Sequence, residues 1–136
     1  MITLQSSAHQ PGDWGQITES LLYQGWLDSE LARSLPYATF RAHQQALIES
    51  SEHAQILLLD GGKPVGGIIL MQTMDAQVGP AVIALHQFIL EEYRAAFPYR
   101  KVLQEAQRIA KGVGSRFLIW THRKPSGRIY YTYKEV

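Results

Sequence analysis

Cysteine is absent from the 136-residue sequence, which excludes disulfide bonds and metal sites built on thiolates. Long apolar runs are absent as well. The longest, residues 68–71 and 81–85, have the length of a strand, whereas a membrane span needs roughly 18 residues. The first ten residues, MITLQSSAHQ, lack the basic and apolar regions of an export signal. These absences predict a cytoplasmic protein, in a cell or in an infected host.

Charged residues make up only 18% of the sequence, and the two signs are unevenly distributed. Residues 1–93 carry three basic and ten acidic side chains, a net charge of −7; residues 94–136 carry ten basic and two acidic ones, a net charge of +8. This asymmetry favours an anionic partner for the C-terminal third, such as cofactor phosphates, a nucleic acid or an acidic protein. Mutual neutralisation of the two segments within the fold is the alternative explanation.

The hydropathy pattern predicts a single α/β domain over residues 1–136, with the order β-α-α-β-β-β-α-β-β. Asp13 and Gln16 have the spacing of a capping box, which predicts that the first helix begins there and ends at Gly25. A helical turn is expected after Asp28, and Pro98 suits the start of the last helix. Further helix is expected at residues 37–52, and strands at residues 2–5, 55–59, 65–71, 81–90, 117–122 and 129–133. The strands are expected to form one mixed sheet with the helices packed on it.

Residues 87–120, QFILEEYRAAFPYRKVLQEAQRIAKGVGSRFLIW, combine a strand, the segment Glu92-Tyr93-Arg94 and a helix with the aliphatic pair Val102-Leu103. This arrangement resembles the Gcn5-related N-acetyltransferase superfamily, in which a segment like P-E-Y-R precedes R-G-x-G-x-G and a helix. The preceding hairpin, LDGGKPVGG at residues 59–67, is similar to the family's hairpin. The resemblance covers residues 2–123. It implies an acyl-CoA N-acyltransferase-like fold with acetyl-CoA as the cofactor.

Glycine is missing where that family has it. The glycine positions correspond to Ala95, Phe97 and Tyr99, and Pro98 between them has no N–H. In the family, backbone N–H groups of this loop bind the pyrophosphate of the cofactor at a helix N-terminus. The resemblance therefore implies an altered site, with cofactor contacts from the strand end and the loop at Phe88, Ile89, Leu90, Arg94, Ala95, Ala96, Phe97 and Tyr99.

Three cations, Arg94, Arg100 and Lys101, lie close to the start of the same helix. Cations are unfavourable at that end by roughly 0.3–1 kcal/mol each, because the helix dipole is positive there. An anionic ligand would offset this cost, and so would the neighbouring carboxylates Glu91 and Glu92. The cluster predicts either an anion site or a set of internal ion pairs.

Two residues are candidates for proton transfer. His86 lies in the long strand that borders the acyl site in the resembling family and could deprotonate an amine, although a hydrogen-bonded strand histidine is the simpler interpretation. Tyr131 could protonate a leaving thiolate; alternatively, the tyrosines of the last strand stack on bases or form an interface. No pair of histidines has metal-ligand spacing, so no metal site is expected. No Ser-His-Asp arrangement is recognised in the sequence.

Three functions remain open at this stage. Only fourteen residues follow His122, so the family's additional terminal helix is not expected. That shortening and the glycine-free loop favour a non-catalytic scaffold with a protein partner or a second copy, similar to accessory or virion-associated proteins of short-tailed phages. An acyl-CoA-dependent N-acetyltransferase acting on an amine is the alternative. A nucleic-acid-binding protein that uses its basic C-terminal third is the third reading.

Overall fold

A computed structural model describes residues 1–136, and all six strands belong to one sheet in the order β1-β2-β3-β4-β5-β6. Strands β4 and β5 run parallel, and every other pair of neighbours is antiparallel. The predicted mixed-sheet α/β class is confirmed, and the short helix α2 is the helical turn expected after Asp28. The elements are β1 (Ile2–His9), α1 (Glu19–Leu27), α2 (Glu30–Arg33), α3 (Tyr37–Glu49), β2 (His53–Asp60), β3 (Lys63–Asp75), β4 (Gly79–Ile89), α4 (Tyr99–Gly112), β5 (Phe117–Arg123) and β6 (Ile129–Glu135).

Each face of the sheet has its own hydrophobic core. On the face covered by α1 and α3, called here the α1–α3 face, Leu21, Leu22 and Ile48 pack against Ile69 and Phe88. The opposite face, called the α4 face, packs against the single helix α4. A fully buried aliphatic or aromatic side chain contributes roughly 1.5–3 kcal/mol. The α4-face core includes Ile56, Leu58, Ile68, Leu70, Val82, Val102, Ala106, Leu118 and Trp120.

Helix α1 begins later than the sequence predicts. Its N-cap is Thr18, whose side-chain oxygen accepts a hydrogen bond from the N–H of Leu21. Asp13 caps no helix; its Oδ1 atom accepts from the N–H of Gly15 at 2.9 Å. The predicted capping box is wrong because the Asp13 side chain satisfies a local turn instead, which competes with helix initiation.

Helix α4 agrees with its predicted pattern. Pro98 precedes its first residue, where a missing N–H costs nothing. Val102, Ala106 and Ala110 are buried at helical spacing, and the opposite side of the helix is polar. The amphipathic stripe therefore fixes which side of α4 lies on the sheet.

The hairpin between β2 and β3 also matches its prediction. Gly61 and Gly62 have φ angles of 57° and 83°, which side chains other than glycine adopt at a cost. No helix is long and apolar enough to cross a membrane.

Candidate functional site

Strands β4 and β5 pair over a short distance and then separate. Their register joins Val82, Ile83 and Ala84 to Leu118, Ile119 and Trp120, and no backbone pairing follows. Beyond Ala84 and Trp120 the two strands are linked only through side chains. This wedge, lined by residues 85–90 and 121–123, is called here the divergence cleft.

Two side chains cross the divergence cleft. Gln87 Nε2 donates to the carbonyl oxygen of Thr121 at 3.0 Å. Arg123 Nη2 donates to the carbonyl oxygen of Leu85 at 2.9 Å. In a regular sheet, each of these two carbonyl oxygens would accept a hydrogen bond from a backbone N–H of the neighbouring strand. Here a side chain donates that hydrogen bond instead, so the two strands remain separated while both carbonyl groups have a partner.

A β-bulge explains why β4 turns away from β5. The register with β3 shifts between Ile69–His86 and Leu70–Ala84, so that Leu85 is an extra residue in β4. A bulge bends its strand and increases the local twist. The separation from β5 begins at this residue.

His86 lies in the wall of the cleft on the α1–α3 face. Its ring stacks on Phe88 with centroids 5.5 Å apart, and its Nε2 atom is buried without a hydrogen-bond partner. Burial, with a smaller contribution from the Arg123 charge, lowers the pKa of His86 to about 3. The ring is therefore neutral at physiological pH, and its weak basicity makes it a poor acceptor for an ammonium proton.

A second buried polar atom without a partner lies across the cleft. Thr121 Oγ1 is buried, and no protein group bonds to it. Tyr131 is the register partner of Thr121 on β6 and is 53% exposed. Unpaired buried polar atoms are rare in native proteins, and two of the three in this chain flank the same cleft.

The loop before α4 is tightly folded. The N–H groups of Ala96, Phe97 and Tyr99 donate to the carbonyl oxygens of residues two or three positions earlier, at 2.9–3.3 Å. The N–H groups of Ala95, Arg100 and Lys101 have no acceptor in the protein. Two donors, at Arg100 and Lys101, are thus free in the first turn of α4, which is the position where helices bind anions, and a third is free at Ala95 in the preceding turn.

The two aromatic rings of this loop pack on the protein. Phe97 is half-buried against the α4-face core. Tyr99 packs edge-to-face on Trp120, with centroids 5.8 Å apart, at the point where β4 and β5 separate. The loop therefore follows a path that directs Phe97 inward and leaves Tyr99 43% exposed beside the cleft.

The three predicted cations differ in their partners. Arg94 forms an ion pair with Asp28, at the end of α1. Arg100 and Lys101 are exposed and form no ion pair. Glu91 and Glu92 pair with none of the three, so the two helix-end cations are not neutralised from within the chain.

The three residues predicted to contact the cofactor at the end of β4 are Phe88, Ile89 and Leu90, and each has packing or pairing partners within the protein. Phe88 is buried in the α1–α3 core beside Gly25, and Ile89 pairs with Gly66 on β3. The N–H of Leu90 donates to the carbonyl oxygen of Val65 at 3.0 Å. Along this stretch, β4 pairs with β3 on one side, so only the backbone groups on the side facing β5 remain unpaired and could bind a ligand.

A polar cluster at the other end of the sheet was missed by the sequence analysis. Ser7 Oγ lies 2.7 Å from His9 Nε2, and His9 Nδ1 lies 2.7 Å from Asp13 Oδ2. The fold thus brings together a Ser-His-Asp arrangement that was not recognised in the sequence. The available signal was Ser-x-His at strand spacing followed by a Pro-Gly turn, but β1 was predicted to end at residue 5, before either residue.

The same cluster contains a second histidine. His53 stacks on His9 with ring centroids 5.1 Å apart, and Gln55 Nε2 lies 3.0 Å from His53 Nε2. Burial lowers the pKa of His53. No group of three histidine, aspartate or glutamate side chains could hold a metal ion.

A cavity of about 310 Å³ lies away from the divergence cleft, between the C-terminal end of α4 and strands β1–β3. Its lining includes Ser7, His9, Leu70, Ile109 and Val113. It contains none of the residues predicted to bind a cofactor.

No protein-family model matches the sequence, and no curated protein matches it. Solved structures do match. A GNAT family acetyltransferase from Staphylococcus aureus aligns with 98% of this chain and 96% of its own, at 11% identity and a TM-score of 0.56.

Two aminoglycoside acetyltransferases match in the same way. The 6'-N-acetyltransferase AAC(6')-Ih from Acinetobacter baumannii aligns with 88% of this chain and 78% of its own, at 17% identity and a TM-score of 0.53. AAC(6')-Iy in complex with CoA aligns with 88% and 77%, at 14% identity and a TM-score of 0.56. At such identities the likeness shows the fold, and the predicted resemblance is confirmed at that level: the chain has the acyl-CoA N-acyltransferase fold of the Gcn5-related N-acetyltransferases.

Proposed function

We propose that this protein is an acyl-CoA-dependent N-acyltransferase that transfers an acyl group to an amine. The observation that carries the proposal is the divergence cleft beside three free N–H groups, two in the first turn of α4 and one in the loop before it. Structural neighbours with this fold are acetyltransferases, and one of them was solved with CoA. We therefore prefer the N-acyltransferase, which the sequence analysis gave as the alternative, to the non-catalytic scaffold that the glycine-free loop favoured.

The altered loop still offers donors for a diphosphate. Ala95, Arg100 and Lys101 provide free N–H groups, and the last two add unpaired positive side chains. Loss of the family's glycines is compatible with this because Phe97 packs inward on the core. These residues fit the phosphates of acyl-CoA, whose thioester would supply the activated acyl group.

The pantetheine arm of such a cofactor needs an extended strand edge. Residues 85–89 of β4 have no backbone partner on β5, so their edge is available once the Gln87 and Arg123 side chains give way. These two side chains would be the first groups displaced by a ligand. Residue contacts to the cofactor along β4 are therefore expected from backbone atoms more than from side chains.

His86 and Tyr131 keep separate roles in this proposal. Neutral His86 would orient an amine or acyl oxygen through its unpartnered Nε2 atom, and the amine would arrive at the site already deprotonated, because a pKa of about 3 does not suit a general base. Tyr131, exposed next to Thr121, remains the predicted proton donor to the leaving thiolate.

Calorimetric titration with CoA and with acetyl-CoA tests the cofactor site. We expect saturable binding that weakens at least about 10-fold in the double variant Arg100→Gln/Lys101→Gln, because two charge-assisted phosphate contacts are lost. The matched control is Arg108→Gln/Lys111→Gln, which removes the same charge from the other end of α4 and should leave affinity unchanged.

The scaffold reading remains a prediction with its own outcome. If neither CoA nor acetyl-CoA binds at millimolar concentration, the transferase proposal fails, and co-purification of a stoichiometric partner would then favour the scaffold or virion-associated role. Nucleic-acid binding by the basic C-terminal third would appear as an affinity that falls steeply with salt.

A further inference from the structure

We propose that Ser7, His9 and Asp13 form a second reactive site, in which Ser7 is a nucleophile toward small activated esters. The site lies at the outer edge of the sheet, on β1, and two strands separate it from β4. It is independent of the acyl-CoA cleft, so either proposal can fail without the other.

The geometry is that of a nucleophile, a base and an orienting carboxylate. The two linking distances, Ser7 Oγ to His9 Nε2 and His9 Nδ1 to Asp13 Oδ2, are both 2.7 Å. Ser7 and His9 are two positions apart on β1 and therefore on one face of the strand, while the Pro11-Gly12 turn brings Asp13 back to the ring. This is the order of contacts that activates a serine hydroxyl on unrelated folds.

The tautomer of His9 follows from its partners. Asp13 Oδ2 can only accept, so His9 Nδ1 carries the hydrogen and donates it. The Nε2 atom of the neutral ring then has a free lone pair and accepts the Ser7 hydroxyl hydrogen. The hydrogen bond from His9 also lowers the pKa of Asp13, so this carboxylate remains ionised over a wide pH range.

The ring of His9 is held in place by its surroundings. It is 8% exposed and stacks on His53, which in turn meets Gln55. Gln55 is itself fixed at both ends, because its Nε2 donates to the carbonyl oxygen of Trp14 and its Oε1 accepts from the N–H of Gln16, each at 2.8 Å. A base whose orientation is fixed before reaction avoids the cost of ordering it during reaction.

The proposed reaction begins with attack of Ser7 Oγ on the carbonyl carbon of an ester. The Oγ–H proton moves to His9 Nε2, the ester C–O bond breaks, and that proton leaves with the alcohol or phenol, giving an acyl-Ser7. Water then attacks the acyl-Ser7 with His9 again as base, releasing the carboxylic acid and restoring the serine. Ester and water thus become acid and alcohol.

The position of Ser7 selects small substrates. Its side chain is half-buried on an edge strand beside His9, which is 8% exposed. Asp13 is 52% exposed on its other side, which leaves the cluster open to solvent from one direction.

The test uses a fluorophosphonate probe on the full chain, followed by mass spectrometry, and the release of p-nitrophenol from p-nitrophenyl acetate. We expect one phosphonyl group per chain, mapped to Ser7 and absent in Ser7→Ala. The matched control is Ser6→Ala, because Ser6 points to the opposite face and bonds to Glu105 at 3.0 Å. Labelling should slow by at least about 100-fold in His9→Gln, the loss expected for a general base.

Asp13 is a positioning residue and needs a readout of its own. Asp13→Asn keeps the Oδ1 acceptor for Gly15 but cannot accept from His9 Nδ1–H. We expect slower labelling together with a change, seen in long-range ¹⁵N NMR spectra, in which ring nitrogen of His9 carries the hydrogen. This variant also serves if His9→Gln fails to fold. The proposal would be overturned if the parent protein were labelled no faster than Ser7→Ala, or if the label mapped to another residue. It would also be overturned if Asp13→Asn were labelled at the same rate as the parent.

Discussion

The polar cluster on β1 and β2 and the divergence cleft between β4 and β5 contain histidines in opposite circumstances. In the cluster, both ring nitrogens of His9 and both of His53 have partners. In the cleft, His86 Nε2 and Thr121 Oγ1 are buried with none. A buried polar atom without a partner costs roughly 1–3 kcal/mol. The comparison teaches that the cluster is complete without a ligand, whereas the cleft retains unused hydrogen-bonding capacity.

The largest expected effect comes from breaking the cluster at Gly15. A Cβ atom there would lie 2.1 Å from Gln55 Nε2, and Gln55 cannot move without losing its bonds to the Trp14 carbonyl oxygen and the Gln16 N–H. With the added strain of a φ of 79°, Gly15→Ala should lower the free energy of unfolding by about 3 kcal/mol. Urea unfolding monitored by circular dichroism measures this.

Gly12→Ala is the control for that substitution. Gly12 has a similar φ of 87°, but no atom lies within 4 Å of an added Cβ. The cost should therefore be the backbone strain alone, about 1–2 kcal/mol. Equal losses in the two variants would mean that the cluster tolerates intrusion and is not rigid.

Acidification should lower the free energy of unfolding by a smaller amount, through His86 in the cleft. His86 is neutral in the folded protein with a pKa of about 3, against an unfolded value near 6.5. Its contribution is complete above pH 6.5 and is lost as the pH falls toward 3, because the unfolded chain binds the proton first. Between pH 6.5 and 5 the free energy of unfolding should fall by about 2 kcal/mol from this residue. The lowered pKa of His53 acts in the same direction.

His86→Phe isolates that effect. Phenylalanine preserves the stacking on Phe88 and removes the titrating, unpartnered nitrogen, so the slope between pH 6.5 and 5 should become shallower than in the parent. The matched control is His43→Gln, at an exposed position on α3. An unchanged slope in His86→Phe would place the acid sensitivity elsewhere, with His53 as the first residue to examine.

The smallest expected effect concerns the ion pair between Asp28, at the end of α1, and Arg94, in the loop before α4. Both side chains are more than a third exposed, so Asp28→Asn should cost less than about 1 kcal/mol. The variant keeps the Oδ1 acceptor for Gln24 and frees Arg94. If the cleft binds acyl-CoA as proposed, affinity should then rise by a few-fold in calorimetry. If the affinity for acyl-CoA fell instead, the ion pair would be holding the loop before α4 in its binding conformation, and Asp28 would not be competing with the ligand for Arg94.

Much of the fold could be predicted because its elements carry strong periodic signals. Pro98 and the apolar residues Tyr99, Val102, Leu103, Ala106 and Ile109 located α4, and the Gly61-Gly62 turn located the hairpin. Helix α1 was predicted too early because Asp13 has the chemistry of a cap. The Asp13 carboxylate could either cap a helix or accept a hydrogen bond from a histidine. Which of the two it does depends on tertiary contacts that are not encoded in local spacing.

The divergence cleft includes the end of β4 to which the resemblance pointed, but its details could not be predicted from the sequence. The divergence cleft depends on a one-residue register shift at Leu85, and register between strands cannot be read from one strand alone. Phe97 and Tyr99 stand where the resembling family has glycines, and only the structure shows that Phe97 packs inward on the core. The burial of His86, which decides its basicity, also follows from packing and not from its place in the sequence.

The short seam between β4 and β5 has a mechanical consequence. The β5–β6 hairpin joins β4 through three parallel register pairs and the two side chains that bridge the wedge. Two further contacts hold it from outside the wedge: Tyr133 Oη donates to Asp75 Oδ1 at 2.8 Å, and the N–H of Glu30 donates to the carbonyl oxygen of Pro125 at 2.9 Å. A ligand that displaced the two bridging side chains would therefore leave the hairpin held by these contacts and by its core residues, so the wedge can be occupied without releasing β5 and β6 from the rest of the fold.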